Sequence, residues 1–307
     1  MSIRFVFVTP AELGPYIEGL RAIERATEYP IGDGADVFTI DHGDAYSPFF
    51  STVGQDPRFL VALDGARVVG GAVGMYRDVR IRGRMVRACY GADWKLGHEY
   101  RGLGVARQMM TWGFSLLFKD PTLRAWRYGY VAAMRGADGD VMRVVKGLHP
   151  GKLVKAAGTL AVYFVEPSRL AALFLDGTPD TPDPDAGVDL SYVPTGHVEG
   201  PGLVSTAGMK DLRLRSTGQP WPLVHLPHGP SRWTPSWGAY LRGCGESLAA
   251  GRPSAVACFA IDHRLDTHIA WLASQGIAPG AACTVYALDL TLRARRAAWL
   301  HLATSEI

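Results

Sequence analysis

Between His98 and Met110 the chain reads HEYRGLGVARQMM. An arginine and two glycines stand directly before an apolar helical pattern. A strand that turns straight into a helix presents free backbone N–H groups at the helix start. With a helix dipole of roughly +0.5 charge, those donors form an anion site. Glycines let a phosphate come close to the backbone. The spacing argues against two phosphate-binding patterns. GxxxxGK[ST] is absent, and Gly102-Leu103-Gly104-Val105-Ala106-Arg107 lacks the third glycine of GxGxxG.

The elements that must position this loop are readable on both sides of it. Ile3 to Val8 reads as a strand. Thr9-Pro10-Ala11-Glu12 reads as a helix start with a capping residue, a proline in the first turn and a capping-box glutamate, and the helix is expected to run to about Ala26. Tyr29 to Gly54 reads as a long loop in which Tyr46, Phe49 and Phe50 line a pocket or pack as a lid. Two apolar runs around Asp64-Gly65 predict a hairpin. A second hairpin turns near Arg82-Gly83 and leads into a strand from Met85 to Leu96. Next come a helix from Gly104 to about Phe118, a strand over Trp126–Met134, a short helix over Gly139–Gly147 and a strand over Thr159–Val165.

The composition then shifts. Asp176 to Gly187 is rich in proline and aspartate, which marks a linker or boundary loop. The second half is loop-rich as far as Trp237. It closes with a helix over Trp237–Ala250, a strand over Ala255–Ile261, a helix over Asp266–Gln275 and strands over Ala282–Leu290 and Ala298–Ala303. Both halves thus finish helix, strand, helix, strand, which suggests a diverged internal duplication.

The stretch Arg101-Gly102-Leu103-Gly104-Val105-Ala106, set in this element order over roughly residues 3–166, resembles the pyrophosphate loop of the GNAT superfamily of N-acyltransferases. Arg101, Gly104 and Ala106 match the family's pattern. The resemblance implies an α/β fold: a mixed, mostly antiparallel central sheet flanked by helices, here as two tandem GNAT-like domains. The implied division is 1–170 as the donor-binding catalytic domain, 171–188 as linker, and 189–307 as a degenerate second domain that shapes the acceptor pocket or serves structure. It further implies acetyl-CoA or a longer acyl-CoA as co-substrate, or an acyl carrier protein thioester, with no metal. The donor site carried over by position is Leu96, Arg101, Gly102, Leu103, Gly104, Val105, Ala106 and Arg107. The acceptor is expected to be a primary amine of a small metabolite or of a peptide side chain.

Such an amine must be neutral to attack a thioester, and deprotonating one of pKa about 10.4 at pH 7 costs about 4.6 kcal/mol. A base must lower that cost. The family often places it on the strand before the loop, where the candidates are Asp93, His98 and Glu99. Asp93 is preferred, because Ala92-Asp93-Trp94 is the one place where a carboxylate interrupts an apolar strand. The leaving thiolate needs a proton, often supplied by a tyrosine in the helix after the next strand. Asp140 to Gly147 contains none, which leaves Tyr90, Tyr130 and Tyr163 as substitutes, or direct attack with water relays. A chain without the acid could also bind acyl-CoA as an inactive sensor or scaffold.

The remaining features are plainer. Arg242-Gly-Cys-Gly245-Glu-Ser247 echoes the loop, but Glu246 would set a negative charge among phosphate-binding amides. His263 and His268 are five apart and do not share a helix face well, so a metal site is not expected there. Arg77, Arg80, Arg82, Arg84 and Arg87 decorate the second hairpin, as a solvated face or an anion-recognition edge. A net charge of +3 over 307 residues is too small to argue for nucleic acid. The 4 cysteines show no CxxC or paired spacing, which fits a reducing compartment. No signal peptide or membrane span is expected, so the default location is cytoplasmic, with a homodimer among the open oligomeric states.

Overall fold

The computed structural model describes residues 2–31, 34, 36–119, 121–134, 154–192, 197–199, 202–233 and 235–307. The helix expected over Gly139–Gly147 lies outside the described residues. In chain order the first half contains β1 (Ile3–Val8), α1 (Ile17–Arg25), β2 (Tyr29–Ile31), β3 (Asp36–Asp41), α2 (Pro48–Val53), β4 (Gln55–Asp64), β5 (Arg67–Ile81), β6 (Arg84–Leu96), α3 (Val105–Lys119), β7 (Tyr128–Met134) and β8 (Lys155–Val165). The second half contains α4 (Pro167–Ala171), β9 (Val188–Asp189), β10 (His197–Glu199), β11 (Leu203–Ser205), β12 (Asp211–Leu214), β13 (Leu223–His225), α5 (Trp237–Gly251), β14 (Val256–Asp262), α6 (Asp266–Ser274), β15 (Ala281–Asp289) and β16 (Leu300–His301).

Local sequence accounts for many of these boundaries. Asp64 pairs with Arg67, so the first hairpin closes over Gly65 and Ala66. Ile81 pairs with Arg84, and both residues of that two-residue turn, Arg82 and Gly83, have positive φ, as a mirror-image hairpin turn demands. The Thr9 N–H donates to the Glu12 carboxylate over 2.9 Å, as the capping box predicts. The chain then makes two single 3-10 turns before α1 begins at Ile17, so the continuous helix expected from Thr9 is shorter than the sequence suggests. At α5 the Ser236 hydroxyl accepts the Ala239 N–H over 3.2 Å. Ser236→Ala is expected to cost about 1 kcal/mol of stability, read as a shift in the urea midpoint.

One sheet of 13 strands runs through both halves, in the order β1-β4-β5-β6-β7-β15-β8-β14-β13-β11-β10, with β9 and β16 beside that path. Its centre explains the repeated rhythm of the sequence. In the first half β4, β5 and β6 are antiparallel neighbours and β6 lies parallel to β7. In the second half β10, β11 and β13 are antiparallel neighbours and β13 lies parallel to β14. Each half then exchanges its last strand. β15 inserts between β7 and β8, and β8 inserts between β15 and β14, all antiparallel. The halves are therefore stitched through backbone hydrogen bonds rather than set side by side.

Alternation along β8 separates the cores. Leu160 and Val162 join the large central core with Phe50, Met75, Tyr90, Cys258, Leu300 and Leu302. Ala161, Tyr163 and Val165 face the other way, into a core under α5 with Trp237, Leu241 and Leu248. A third core, beneath α3, holds Leu60, Val69, Val105 and Met109.

The stretch over Tyr29–Gly54 is not a loop. It forms β2, β3 and α2, and β3 pairs with β12 from the second half in a separate 3-stranded sheet. That pairing is tertiary, so local sequence could not announce it. The acidic segment before β9 is tied down as well. The Trp299 indole donates to the Asp183 carbonyl over 3.0 Å, and Arg80 pairs with Asp185 at 2.6 Å.

Candidate active site

The glycine loop follows β6. The Gly97 N–H donates to the Val69 carbonyl over 2.9 Å, a single 3-10 turn covers His98–Tyr100, and the chain swings through Gly102 and Gly104, both at φ 79°, into α3. That left-handed conformation is the one glycine adopts without steric cost. A Cβ added at either glycine would meet no atom within 4 Å, so the space before the loop is open. The Gln108 N–H donates to the Gly104 carbonyl over 3.0 Å, which leaves the earlier amides of α3 outside that pattern and directed out of the helix start. Arg101 Nε donates to the Leu96 carbonyl over 3.4 Å, and Arg101 and Arg107 are exposed beside the turn. Arg101, Gly102, Leu103, Gly104, Ala106 and Arg107 thus form a rim beside Leu96, while the Val105 side chain is buried in the core beneath α3. The rim's open amides and cations suit a diphosphate.

Next to that rim the sheet parts. β6 pairs with β7 only from Ala88 to Gly91, opposite Tyr128 to Val131, after which β7 continues against β15 alone. At the same point β6 carries a bulge. Its register against β5 shifts between Gly71 and Val73, and Asp93 sits at φ 53°. The extra residue reverses the alternation of the strand. Before it, Ala88 and Tyr90 face the central core; after it, Trp94 and Leu96 pack toward the core beneath α3. Asp93 and Lys95 are thereby turned inward.

There they meet residues from α1 and from the segment after β3. Lys95 Nζ binds the Asp93 carboxylate and donates to Glu24 Oε1 over 2.8 Å. The Tyr46 hydroxyl donates to the other Asp93 oxygen, and His42 Nδ1 bonds Glu24. The His42 N–H donates to Glu24 Oε2 over 3.2 Å. All five side chains are buried or nearly so. Burial opposes the Lys95 charge, yet the adjacent Asp93 and Glu24 carboxylates hold its pKa above the ordinary value. Burial also works against the Glu24 carboxylate, but the hydrogen bond and charge of His42, with Lys95, keep its pKa below the usual range. The Tyr46 phenol is pushed well up by burial and by Asp93. Ligand atoms of Glu24, His42 and Asp93 lie within 4.8 Å of one another, close enough to share a cation. In the structure the cation bridging Glu24 and Asp93 is the Lys95 ammonium.

The other sequence candidates lie elsewhere. Glu99 is on the surface beside the glycine loop, paired with Arg67, and His98 is exposed. Tyr163 stacks on Phe259 with ring centroids 5.1 Å apart, in the core under α5, and burial pushes its phenol up to about 12. The structure does not bring it together with Asp93. Tyr90 and Tyr130 stack at 4.7 Å beside the parting of the strands, and the Tyr90 hydroxyl donates to the Glu306 carbonyl. Glu24, His42 and Lys95 escaped sequence reasoning, and Tyr46 was read as a pocket or lid residue without its link to Asp93. Only Lys95 had a signal, an opposite charge two residues after Asp93 in an apolar strand.

The second half supplies one more buried cation. Lys210 Nζ bonds the Ile307 carbonyl and lies 4.9 Å from the centre of the Phe49 ring. Burial, aided by the Lys95 charge, pushes its pKa down to about 8. Among the described residues the second half does not repeat the open glycine cradle. Arg242 to Ser247 lies inside α5 rather than in a loop, and the start of α5 is capped by Ser236. A Cβ at Gly238 would lie 2.6 Å from the Thr178 hydroxyl, so the acidic segment covers that helix end. The gap where β13 and β14 diverge is filled too: His301 Nε2 bonds the Pro227 carbonyl at 2.9 Å, and Thr304 bonds both His225 and the Cys258 carbonyl.

No protein-family model and no curated protein matches the chain. Solved structures do. A candidate acetyltransferase from Pyrococcus horikoshii aligns over 99% of this chain and 95% of its own, with 10% identity and a TM-score of 0.51. A tandem GNAT protein from the clavulanic acid biosynthesis pathway aligns over 94% and 99%, with 14% identity and a TM-score of 0.48. A candidate N-acyltransferase from Enterococcus faecalis V583 aligns over 94% and 74%, with 10% identity and a TM-score of 0.46. At such identities the likeness is one of fold: the chain has the GNAT fold, a mixed sheet with flanking helices.

Proposed function

We propose that the chain is an N-acyltransferase that moves an acyl group from acetyl-CoA or a longer acyl-CoA to a primary amine of a small metabolite or a peptide side chain. The observation that carries this reading is the alignment of an open amide cradle at Gly102–Gly104 with a parting of β6 and β7 that ends at a buried carboxylate. In this reading the cradle and Arg101 hold the diphosphate. The pantetheine arm lies along the edge of β6 near Leu96, and the thioester reaches Asp93. The neutral amine attacks the thioester carbonyl. A C–N bond forms, the C–S bond breaks, and the amine's proton passes to Asp93. Tyr46 and Lys95 fix the Asp93 carboxylate in place, and the thiolate takes its proton from solvent. Residues 1–170 supply donor and base, 171–188 connect, and 189–307 complete the acceptor side through Lys210.

The test is thiol release from acetyl-CoA and from a long-chain acyl-CoA in the presence of a panel of amines. Asp93→Asn is expected to lower kcat about a hundredfold, with the KM for donor little changed, because a general base commonly contributes that much or more. Unchanged kcat rules out Asp93 as the base. The second reading, an inactive acyl-CoA-binding sensor, is favoured by one observation: Asp93 already has both Lys95 and Tyr46 as partners. It predicts donor binding without thiol release from any amine.

A further inference from the structure

The arginines of the second hairpin do not act together. Arg77 is buried, with Nη2 donating to Glu306 Oε1 over 2.8 Å, so it is no part of an exposed face. Arg80 pairs with Asp185 at 2.6 Å and Arg87 with Asp78 at 3.6 Å. Arg82 and Arg84 stay exposed at the hairpin tip, without an ion pair among the described residues.

They are joined there by residues distant in sequence. The Arg127 N–H donates to the Arg87 carbonyl over 2.8 Å, and the Leu290 N–H donates to the Arg127 carbonyl over 3.0 Å. Those two bonds tie the start of β6, the start of β7 and the loop after β15 into one end of the sheet. Exposed Arg127, Arg293, Arg295 and Arg296 lie on these segments, again without an ion pair among the described residues. The nearby carboxylates are engaged: Asp78 and Asp185 by the arginines above, and Asp289 by the N–H groups of Thr291 and Ala294, each at 2.9 Å. Among the described residues these exposed arginines have no carboxylate of their own.

Large apolar side chains stand out among these arginines. Met85 is 53% exposed, Leu290 50% and Leu292 61%. Leu292 sits at φ 59°, a conformation that costs a branched side chain energy, and Asp289 clamps the turn on both sides of it. The loop therefore holds an apolar tip outward as a fixed feature. Apolar tips ringed by arginine combine the two attractions of a peripheral membrane site, insertion at the acyl boundary and attraction to anionic headgroups. Among the described residues no aromatic side chain is exposed beside these arginines for bases to stack on.

We infer that this end of the sheet docks onto an anionic phospholipid surface, with Leu290, Leu292 and Met85 entering the interface and Arg82, Arg84, Arg127, Arg293, Arg295 and Arg296 facing the headgroups. It reaches from the hairpin tip to the level of Arg87, roughly 30–40 Å along β6 from the glycine loop, so docking leaves the cradle open. The inference stands independently of the acyltransfer reading.

The experiment is co-sedimentation of the full chain with vesicles of phosphatidylcholine alone or of equal parts phosphatidylcholine and phosphatidylglycerol. Binding is expected to be at least roughly tenfold tighter to the anionic vesicles. Arg293→Glu with Arg296→Glu is expected to abolish that preference. Leu292→Asp is expected to weaken binding roughly tenfold at fixed salt, through lost insertion and added charge. Leu292→Ser keeps the charge and isolates the insertion. Melting temperatures check that each variant is folded. Equal sedimentation with both vesicle types overturns the inference. Binding to anionic vesicles unaffected by Leu292→Ser points instead to an acidic macromolecule as the partner, and overturns the lipid assignment.

Discussion

Gly104→Glu is expected to weaken acetyl-CoA binding about a thousandfold. Three effects add in the same direction. Gly104 sits at φ 79°, where a side chain costs roughly 1–2 kcal/mol. Charge-assisted hydrogen bonds from loop amides to phosphate oxygens contribute roughly 1.5–3 kcal/mol each, and a displaced loop forfeits at least one. The new carboxylate also repels the diphosphate across the same open space. Together these exceed about 4 kcal/mol, and each 1.4 kcal/mol is about tenfold in affinity. Gly104→Ala separates the causes. An added Cβ meets no atom within 4 Å, so that variant carries backbone strain alone and should lose about thirtyfold or less. Calorimetric titration with acetyl-CoA and a long-chain acyl-CoA reads both. Equal affinity in Gly104→Glu and wild type would remove the loop from the donor site. Absence of binding by the wild type would exclude free CoA thioesters as donors and leave a carrier-bound thioester or a domain without acyltransfer.

The second large effect is on stability, as pH falls. His225 is buried between Thr206 and Thr304, and burial, then the Lys210 charge, pushes its pKa down from 6.5 to about 3. Its folded form stays neutral where the unfolded chain takes up a proton. The stability it contributes is complete above pH 6.5 and drains away as pH falls toward about 3. At about 1.4 kcal/mol for each unit, the full span is on the order of 5 kcal/mol. That rivals the whole stability of many domains. Glu24, held below its ordinary 4.5, adds loss in the same direction at lower pH. Urea midpoints are therefore expected to fall steadily from pH 6.5 to pH 4.5, and His225→Gln should flatten the upper part of that slope. Identical midpoints at the two ends of that range in the wild type would show that His225 is not buried in its neutral form.

Much of the scaffold was legible because it is written locally. Asp64-Gly65 and Arg82-Gly83 announced their hairpins, since only particular residues tolerate the backbone of tight turns. Gly102 and Gly104 marked a left-handed turn before α3 for the same reason, and helices α3, α5 and α6 fell close to where apolar spacing put them. The buried partners of Asp93 were not legible. A period-2 reading assigns residues to alternate faces, but it contains no notice of a bulge, and one extra residue in β6 moved Asp93 and Lys95 to the opposite side. Nor could it anticipate that Glu24 and His42, from α1 and the segment after β3, would close around them.

The sequence by itself determined the loop, the turn chemistry and the doubled helix–strand rhythm, because each depends on a few neighbouring residues and their intrinsic backbone preferences. The tertiary structure alone decided the rest. It chose which strand lies beside which, so that β15 enters the first half and β8 the second. It placed the acidic segment over the start of α5, and it left the helix start at Gly104 open and that of α5 covered. Those outcomes turn on pairing and burial between residues far apart in the chain, whose energies exist only once the chain has folded.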